Sequence, residues 1–206
     1  MSRYVARTLR SHYFRRSNSD GLPYLVNDHD LKLEDIRNAN IVIVGERHGH
    51  PDDMNLVFKL IDETIPDIVL VEALGEYYIP TKYKAKELYN LPEENHHYQK
   101  LTKLWLGRIV SNKQNTIYRG IELIPNDVTG DLYTLSLKEQ FLLRENHWMK
   151  IIDREVARNK RVLVVVGDTH LRTIETSQLG RISPLITKFL NRSDVAIIRS
   201  QYGEIQ

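Results

Sequence analysis

Two apolar runs of the chain end in the same short pattern of glycine, acid, any residue and histidine. The run at 41–44 is followed by G-E-R-H at 45–48, and the run at 162–166 by G-D-T-H at 167–170. Unbroken apolar runs rich in β-branched residues are typical of strands buried on both faces of a parallel sheet. Because ligands bind beyond the carboxyl ends of such strands, we expect both acid and histidine pairs at one rim of the sheet.

The rest of the chain alternates between apolar runs and segments with helical spacing. Further strands are predicted at 68–73, 115–122 and 194–200, helices at 51–65 and 135–159, and shorter helices at 31–37, 171–176 and 184–190. Strand, helix and strand within 41–73 form a βαβ unit. The alternation predicts one α/β domain over 1–206, with a largely parallel central sheet flanked by helices.

Two segments interrupt this alternation. Residues 75–112, after the strand at 68–73, lack a strand signal and mix tyrosines with lysines. A helical insert at this position is expected to form a lid or a wall over the rim. Residues 1–20 carry five arginines and a single acid. They predict a basic N-terminal arm, which is either disordered or a docking arm for a protein partner or nucleic acid.

Composition excludes several classes of function. The chain has no cysteine, which excludes a thiolate zinc site and a cysteine nucleophile. Its formal charge of +2 is too small to predict nucleic-acid binding over the whole surface. No apolar run approaches the roughly 18 to 20 residues that cross a bilayer, and no signal-peptide core is visible, so a soluble, cytoplasmic protein is expected. Serine-nucleophile, phosphate-loop and H-E-x-x-H motifs are missing, which favours chemistry with activated water.

The expected rim carries carboxylates and imidazoles. The convergent set is Glu46, His48, Glu72 and His170, with Asp168, Arg119 and Glu122 behind it. Two histidines and one or two carboxylates are a normal ligand set for catalytic zinc, manganese or cobalt. The same side chains also work without metal, with His48 as general base, a glutamate orienting the water and Arg119 stabilising an oxyanion. The residues alone leave both mechanisms open.

Five short motifs follow one another in a recognisable order. They are G-E-R-H at 45–48, V-E-A at 71–73, R-G-I-E at 119–122, R-E-N-H-W-M at 144–149 and V-V-V-G-D-T-H at 164–170. In order and spacing the chain resembles, over residues 41–173, the superfamily of TraB, Tiki, GumN, ChaN and erythromycin esterase. The chain departs from the pattern at Glu122, where aspartate is favoured, and in the helix motif, which is one residue longer.

The resemblance implies an active site and a set of possible functions. The implied site consists of Glu46, His48, Glu72 and His170, with Arg119 from the third motif and Arg144 from the helix. The expected function is a hydrolase of the Tiki and erythromycin-esterase type, which cleaves an amide or ester bond in a small molecule or peptide. Its expected cofactor is a divalent metal, manganese, cobalt or zinc, held by the same two glutamates and two histidines. The alternatives are a ChaN-like protein that binds haem or iron, and an inactive interaction protein with the same fold.

Overall fold

The computed structural model describes residues 24–26, 33–75, 86, 97–123, 135–171, 174–176, 180–182, 185–189, 192 and 194–199. In chain order the strands are β1 Tyr24–Val26, β2 Ile41–Glu46, β3 Ile68–Gly75, β4 Ile117–Glu122, β5 Val162–Gly167, β6 Ile174–Thr176, β7 Gly180–Ile182 and β8 Val195–Arg199. The helices are α1 Leu33–Asn38, α2 Pro51–Thr64, α3 His97–Ser111 and α4 Leu137–Val156. Two short 3-10 helices are η1 Asp168–Leu171 and η2 Leu185–Phe189.

Six of the strands form one sheet in the order β1-β8-β2-β5-β3-β4, and every pairing in it is parallel. The predicted α/β class with a parallel sheet is therefore confirmed. Strands β2 and β5, which carry the repeated pattern, are direct neighbours and pair Glu46 with Gly167. The two copies of the pattern consequently end side by side at the same rim.

The sheet is buried on both faces, which explains why its central strands read as unbroken apolar runs. Val42 and Val44 of β2 point to the face that α2 and α3 cover. Ile41 and Ile43 point to the other face and share a core with Trp148 of α4. The long helix α4 begins at a capping box, in which Ser136 accepts from the Glu139 backbone N–H and the Glu139 carboxylate accepts from the Ser136 backbone N–H.

Several predicted boundaries need correction. The helix expected at 171–176 is wrong, because residues 174–176 form β6 and pair antiparallel with β7. The predicted helix at 184–190 is the 3-10 helix η2. Of the insert expected at 75–112, residues 97–111 form the helix α3, whereas residues 76–96 apart from Lys86 lie outside the described part of the chain, as does the N-terminal arm at 1–20. None of the described helices is long and apolar enough to cross a membrane.

Candidate active site at the carboxyl rim of the sheet

Four side chains singled out from the sequence meet at the rim. Glu46 is the last residue of β2, His48 follows it in the loop to α2, Glu72 lies on β3, and His170 lies in η1 after β5. Three residues from β4 and α4 join them. We call the set the rim cluster; its members are Glu46, His48, Glu72, Glu122, Arg144, Glu145 and His170.

His48 is backed by one carboxylate and faces another. Its Nδ1 lies 2.6 Å from Oε1 of Glu46, and its Nε2 lies 3.8 Å from Oε1 of Glu72. Because an ionised carboxylate only accepts hydrogen bonds, this pairing puts the proton of the neutral ring on Nδ1 and leaves the lone pair on Nε2. The hydrogen bond with Glu46 also raises the pKa of His48. With 32 % of its side chain exposed, the ring is within reach of a substrate.

His170 is the buried counterpart of His48. Its Nδ1 lies 3.2 Å from Oε1 of Glu145, and its Nε2 lies 3.4 Å from Oε1 of Glu72. The rings of Phe141 and Trp148 pack on it at centroid distances of 4.7 and 4.6 Å. Burial lowers the pKa of His170, but the hydrogen bonds with Glu145 and Glu72 outweigh burial and leave the pKa raised. A ring between two carboxylates in this way is favoured in its protonated form.

Glu72 stands at the centre of the rim cluster, and both of its oxygens are engaged. Oε1 accepts from Nη2 of Arg144 at 2.6 Å, and Oε2 accepts from the backbone N–H of Gly167 at 2.6 Å. Burial alone would raise the pKa of Glu72, yet the hydrogen bond with His170 and the positive charge of Arg144 lower it to about 2. Glu72 is therefore a permanent anion at neutral pH.

Arg144 joins two of the carboxylates. Its Nε and Nη2 donate to Oε1 and Oε2 of Glu122 at 2.8 and 2.6 Å, and the same Nη2 donates to Glu72. The guanidinium also lies over the ring of Trp148, 5.2 Å from the centroid. Burial raises the pKa of Glu122, although the hydrogen bond from Arg144 opposes this change.

One carboxylate oxygen in the rim cluster has no partner within the described part of the chain. Oε2 of Glu46 is buried and accepts no hydrogen bond, while Oε1 is paired with His48. Burial raises the pKa of Glu46, and the hydrogen bond with His48 lowers it less than burial raises it. A buried acceptor without a donor is costly and marks a position at which a ligand can supply one.

A buried aspartate holds the loop that carries His48. Oδ2 of Asp53 accepts from the backbone N–H of Arg47 at 2.8 Å and from its Nε at 2.9 Å, and Oδ1 accepts from its Nη2 at 2.9 Å. Nη2 of Arg47 also donates to Nδ1 of His50 at 2.9 Å, so this second histidine contacts the Arg47–Asp53 pair. Gly49 has a φ of 75°, which favours glycine and turns the chain between the two histidines.

The glycines of the repeated pattern make room for the cluster. A Cβ on Gly167 would lie 3.2 Å from Nε2 of His48 and 3.5 Å from Oε2 of Glu72. A Cβ on Gly45 would lie 2.6 Å from Cδ1 of Leu171 and 3.1 Å from Oδ1 of Asp168. Gly167 therefore lets the His48 imidazole approach the sheet, and Gly45 lets η1 pack against β2.

Arg119 is not brought to the rim cluster. It is the third residue of β4, and its Nη1 lies 3.5 Å from Oε1 of the buried Glu155 near the end of α4. Arg144 is the arginine that contacts carboxylates of the rim cluster, and a role of Arg119 toward an oxyanion stays a prediction. Asp168 is buried in η1, directly after β5.

The expected metal ligands do not fit a metal ion as they are arranged. Within the part of the chain that the structure describes, no group of three or more histidine, aspartate and glutamate side chains could hold one. Both oxygens of Glu72 are taken, one of them by the Arg144 guanidinium, which repels a cation. His48 uses its Nδ1 for Glu46, and both ring nitrogens of His170 face carboxylates, so Nε2 of His48 is the ring nitrogen of this pair that is left as a metal ligand.

Two positions that sequence reasoning did not select, Glu145 and Asp53, support the histidines. Glu145 lies on the same helical stripe as Phe141, Trp148 and Ile152, and Asp53 lies on the stripe of Val57. A carboxylate on the apolar stripe of a helix is buried and therefore needs a partner. That pattern is visible in the sequence and is the signal that could have identified both.

Comparisons with known proteins bear on the fold alone. No protein-family model and no curated protein matches the chain. Similar solved structures include RRSP, a MARTX toxin effector domain from Vibrio vulnificus, at 11 % identity and a TM-score of 0.49, covering 80 % of this chain and 33 % of that one. ChaN of Campylobacter jejuni, solved with cofacial haem, matches at 14 % identity and 0.43, covering 84 % and 86 %. The type III effector HopBA1 matches at 12 % identity and 0.45, covering 82 % and 92 %.

Proposed function

We propose that the chain is a hydrolase that cleaves an ester or amide bond with water activated by His48. The observation that carries this proposal is the pairing of His48 Nδ1 with Glu46 at 2.6 Å, with Nε2 directed to the centre of the rim cluster. A carboxylate behind one ring nitrogen and an exposed lone pair on the other are the features of a general base. The motif resemblance of the sequence to erythromycin esterases and Tiki peptidases agrees with this chemistry.

The proposed first step is proton transfer from water to Nε2 of His48 as the water attacks the carbonyl carbon. Glu46 keeps the ring in the required tautomer and stabilises the imidazolium that forms. His48 then returns the proton to the leaving alcohol or amine. General acid and base catalysis of this kind contributes about 10² to 10⁴ in rate.

The proposed oxyanion partner is Arg144. Its Nε and Nη2 are held by Glu122 and Glu72, whereas its Nη1 makes no hydrogen bond within the described part of the chain. A guanidinium fixed by two carboxylates and an indole ring is preorganised to donate to developing negative charge. His170, a buried ring favoured in its protonated form, adds positive charge behind Glu72.

The test is a screen of ester and amide substrates with the wild-type protein, followed by His48→Gln. We expect His48→Gln to lose at least about 100-fold in kcat/KM while still unfolding cooperatively in urea, because the ring is only partly buried. His50→Gln is the matched control, since His50 lies in the same loop but faces Arg47. Wild-type turnover in His48→Gln would contradict the proposal.

The same preparations test the two cofactor expectations. No step above uses a metal, so turnover should survive exhaustive chelation; activity lost on chelation and restored by manganese, cobalt or zinc would return the metal mechanism. Haem binding predicts a shifted Soret band on titration with haem, and loss of that band in His48→Gln. Haem bound through His48, without hydrolysis of any ester or amide, would favour the binding protein over the hydrolase.

A further inference from the structure

Negative charge exceeds positive charge in the rim cluster. Its four carboxylates are Glu46, Glu72, Glu122 and Glu145. One guanidinium, Arg144, is the permanent cation among them. The cluster is therefore negative whether its two imidazoles are neutral or protonated. A site with fixed charge of one sign concentrates ligands of the opposite sign.

The single arginine is not available to bind an anionic substrate group. Its guanidinium donates three hydrogen bonds to Glu122 and Glu72 and lies over Trp148. An incoming carboxylate or phosphate would compete with both glutamates and be repelled by them. Arg144 therefore offers at most one group, Nη1, which suits a carbonyl oxygen better than a second full anion.

The buried part of the rim cluster has an acceptor to spare. Oε2 of Glu46 is buried and has no donor among the described residues. Since Glu46 is otherwise bonded only through Oε1 to His48, this oxygen is left to accept a hydrogen bond from water or from a bound molecule. An ammonium or guanidinium group supplies donors and brings no acceptor that would itself need a partner.

Glu122 is the carboxylate that an approaching substrate meets. Its side chain is 28 % exposed, against 6 % for Glu72 and 2 % for Glu46. A carboxylate accepts about four hydrogen bonds, and Arg144 uses two of them. The outer lone pairs of Glu122 are thus left for a cation, and Glu122 is linked to His48 through Arg144 and Glu72.

We propose that the substrate carries a cationic group, an ammonium or a guanidinium, close to the scissile bond, and that Glu122 binds this group. The inference rests on the proposed hydrolase for its catalytic readout, while the binding it predicts is independent of turnover. A partly solvated carboxylate at contact distance from a cation changes affinity by about tenfold, and salt weakens the effect.

The experiment compares two 4-nitrophenyl esters of the same shape. One is the ester of 6-ammoniohexanoic acid, and the other is that of heptanoic acid, in which a methyl group replaces the charged ammonium group. All assays contain a chelator, so that no metal ion occupies the carboxylates in place of the cationic group of the substrate. We expect kcat/KM to favour the cationic ester by about tenfold or more, and Glu122→Gln to reduce this ratio about tenfold. Glu63→Gln, an exposed carboxylate of α2 paired with Arg37, is the control that should keep the ratio.

A second readout separates this inference from the proposed function. Calorimetry with the His48→Gln protein measures binding of the primary amides of the same two acids. This variant lacks the proposed general base and is not expected to hydrolyse them. Hydrolysis of both esters at equal kcat/KM would overturn the cation preference and leave the hydrolase standing. A different result would uphold the cation site and overturn the hydrolase. In it, the cationic amide binds and its binding weakens in Glu122→Gln, while the wild-type protein hydrolyses neither ester. Equal binding of both amides together with equal hydrolysis would refute the inference outright.

Discussion

Gly167→Ala places one methyl group against the proposed catalytic base. The new Cβ would lie 3.2 Å from Nε2 and 3.4 Å from Cε1 of His48. Ordinary contacts need about 3.5 Å, so the ring has to move by about 0.3 Å toward solvent. The backbone N–H of residue 167 is kept, so its hydrogen bond to Glu72 is not removed by the substitution.

The expected cost in stability is small, and the expected cost in turnover is large. Alanine in a strand is favoured over glycine by about 0.5–1 kcal/mol, and this gain offsets the crowding because the half-exposed ring can yield. The net change in the free energy of unfolding should stay within about 1 kcal/mol. The methyl, however, covers Nε2, where the attacking water is proposed to sit. Loss of a general base predicts a fall of about 100-fold or more in kcat/KM.

Two assays decide the matter. Urea unfolding followed by fluorescence of the buried Trp105 and Trp148 gives the stability, and hydrolysis of the best ester from the substrate screen gives the activity. A folded Gly167→Ala protein with wild-type turnover would show that the reacting water does not approach Nε2. A loss of more than about 3 kcal/mol would instead show that the His48 ring cannot yield, which refutes the packing argument.

Three further predictions follow from the same structure. Gly45→Ala should destabilise the fold by about 1–3 kcal/mol in urea unfolding, because its Cβ would meet the fully buried Leu171 at 2.6 Å; an unchanged midpoint would contradict this. Asp53→Asn should lower kcat and also destabilise by about 1.5–3 kcal/mol, since Asp53 accepts three hydrogen bonds from Arg47; stability loss with full kcat would show that the loop does not position His48. Burial raises the pKa of Glu155, but Lys160 and the neighbouring arginines lower it by more than burial raises it. The pKa of Glu155 in the native state is therefore below its pKa in the unfolded state. Its stabilisation is complete above the unfolded pKa and is lost as the pH falls through the native pKa, so Glu155→Gln should cost about 2 kcal/mol at pH 7 and progressively less at acid pH; a pH-independent difference would refute it.

The amino-acid sequence by itself determined the class of fold and the strands that end at the rim. Unbroken β-branched runs are stable only where both faces of a strand are covered, and the intervening helical stripes supply the cover. The repeated glycine-acid-x-histidine pattern placed two histidines after two such strands. The parallel pairing of β2 with β5 then puts them side by side.

The tertiary structure decided which charged residues join these histidines. Arg119 and Arg144 both follow from the motifs, but β4 directs Arg119 toward Glu155, whereas α4 presents Arg144 to Glu72 and Glu122. The helix rotation that buries Trp148 also turns Glu145 toward His170. Strand register and helix rotation are set by packing between distant parts of the chain, and local sequence patterns leave both undetermined.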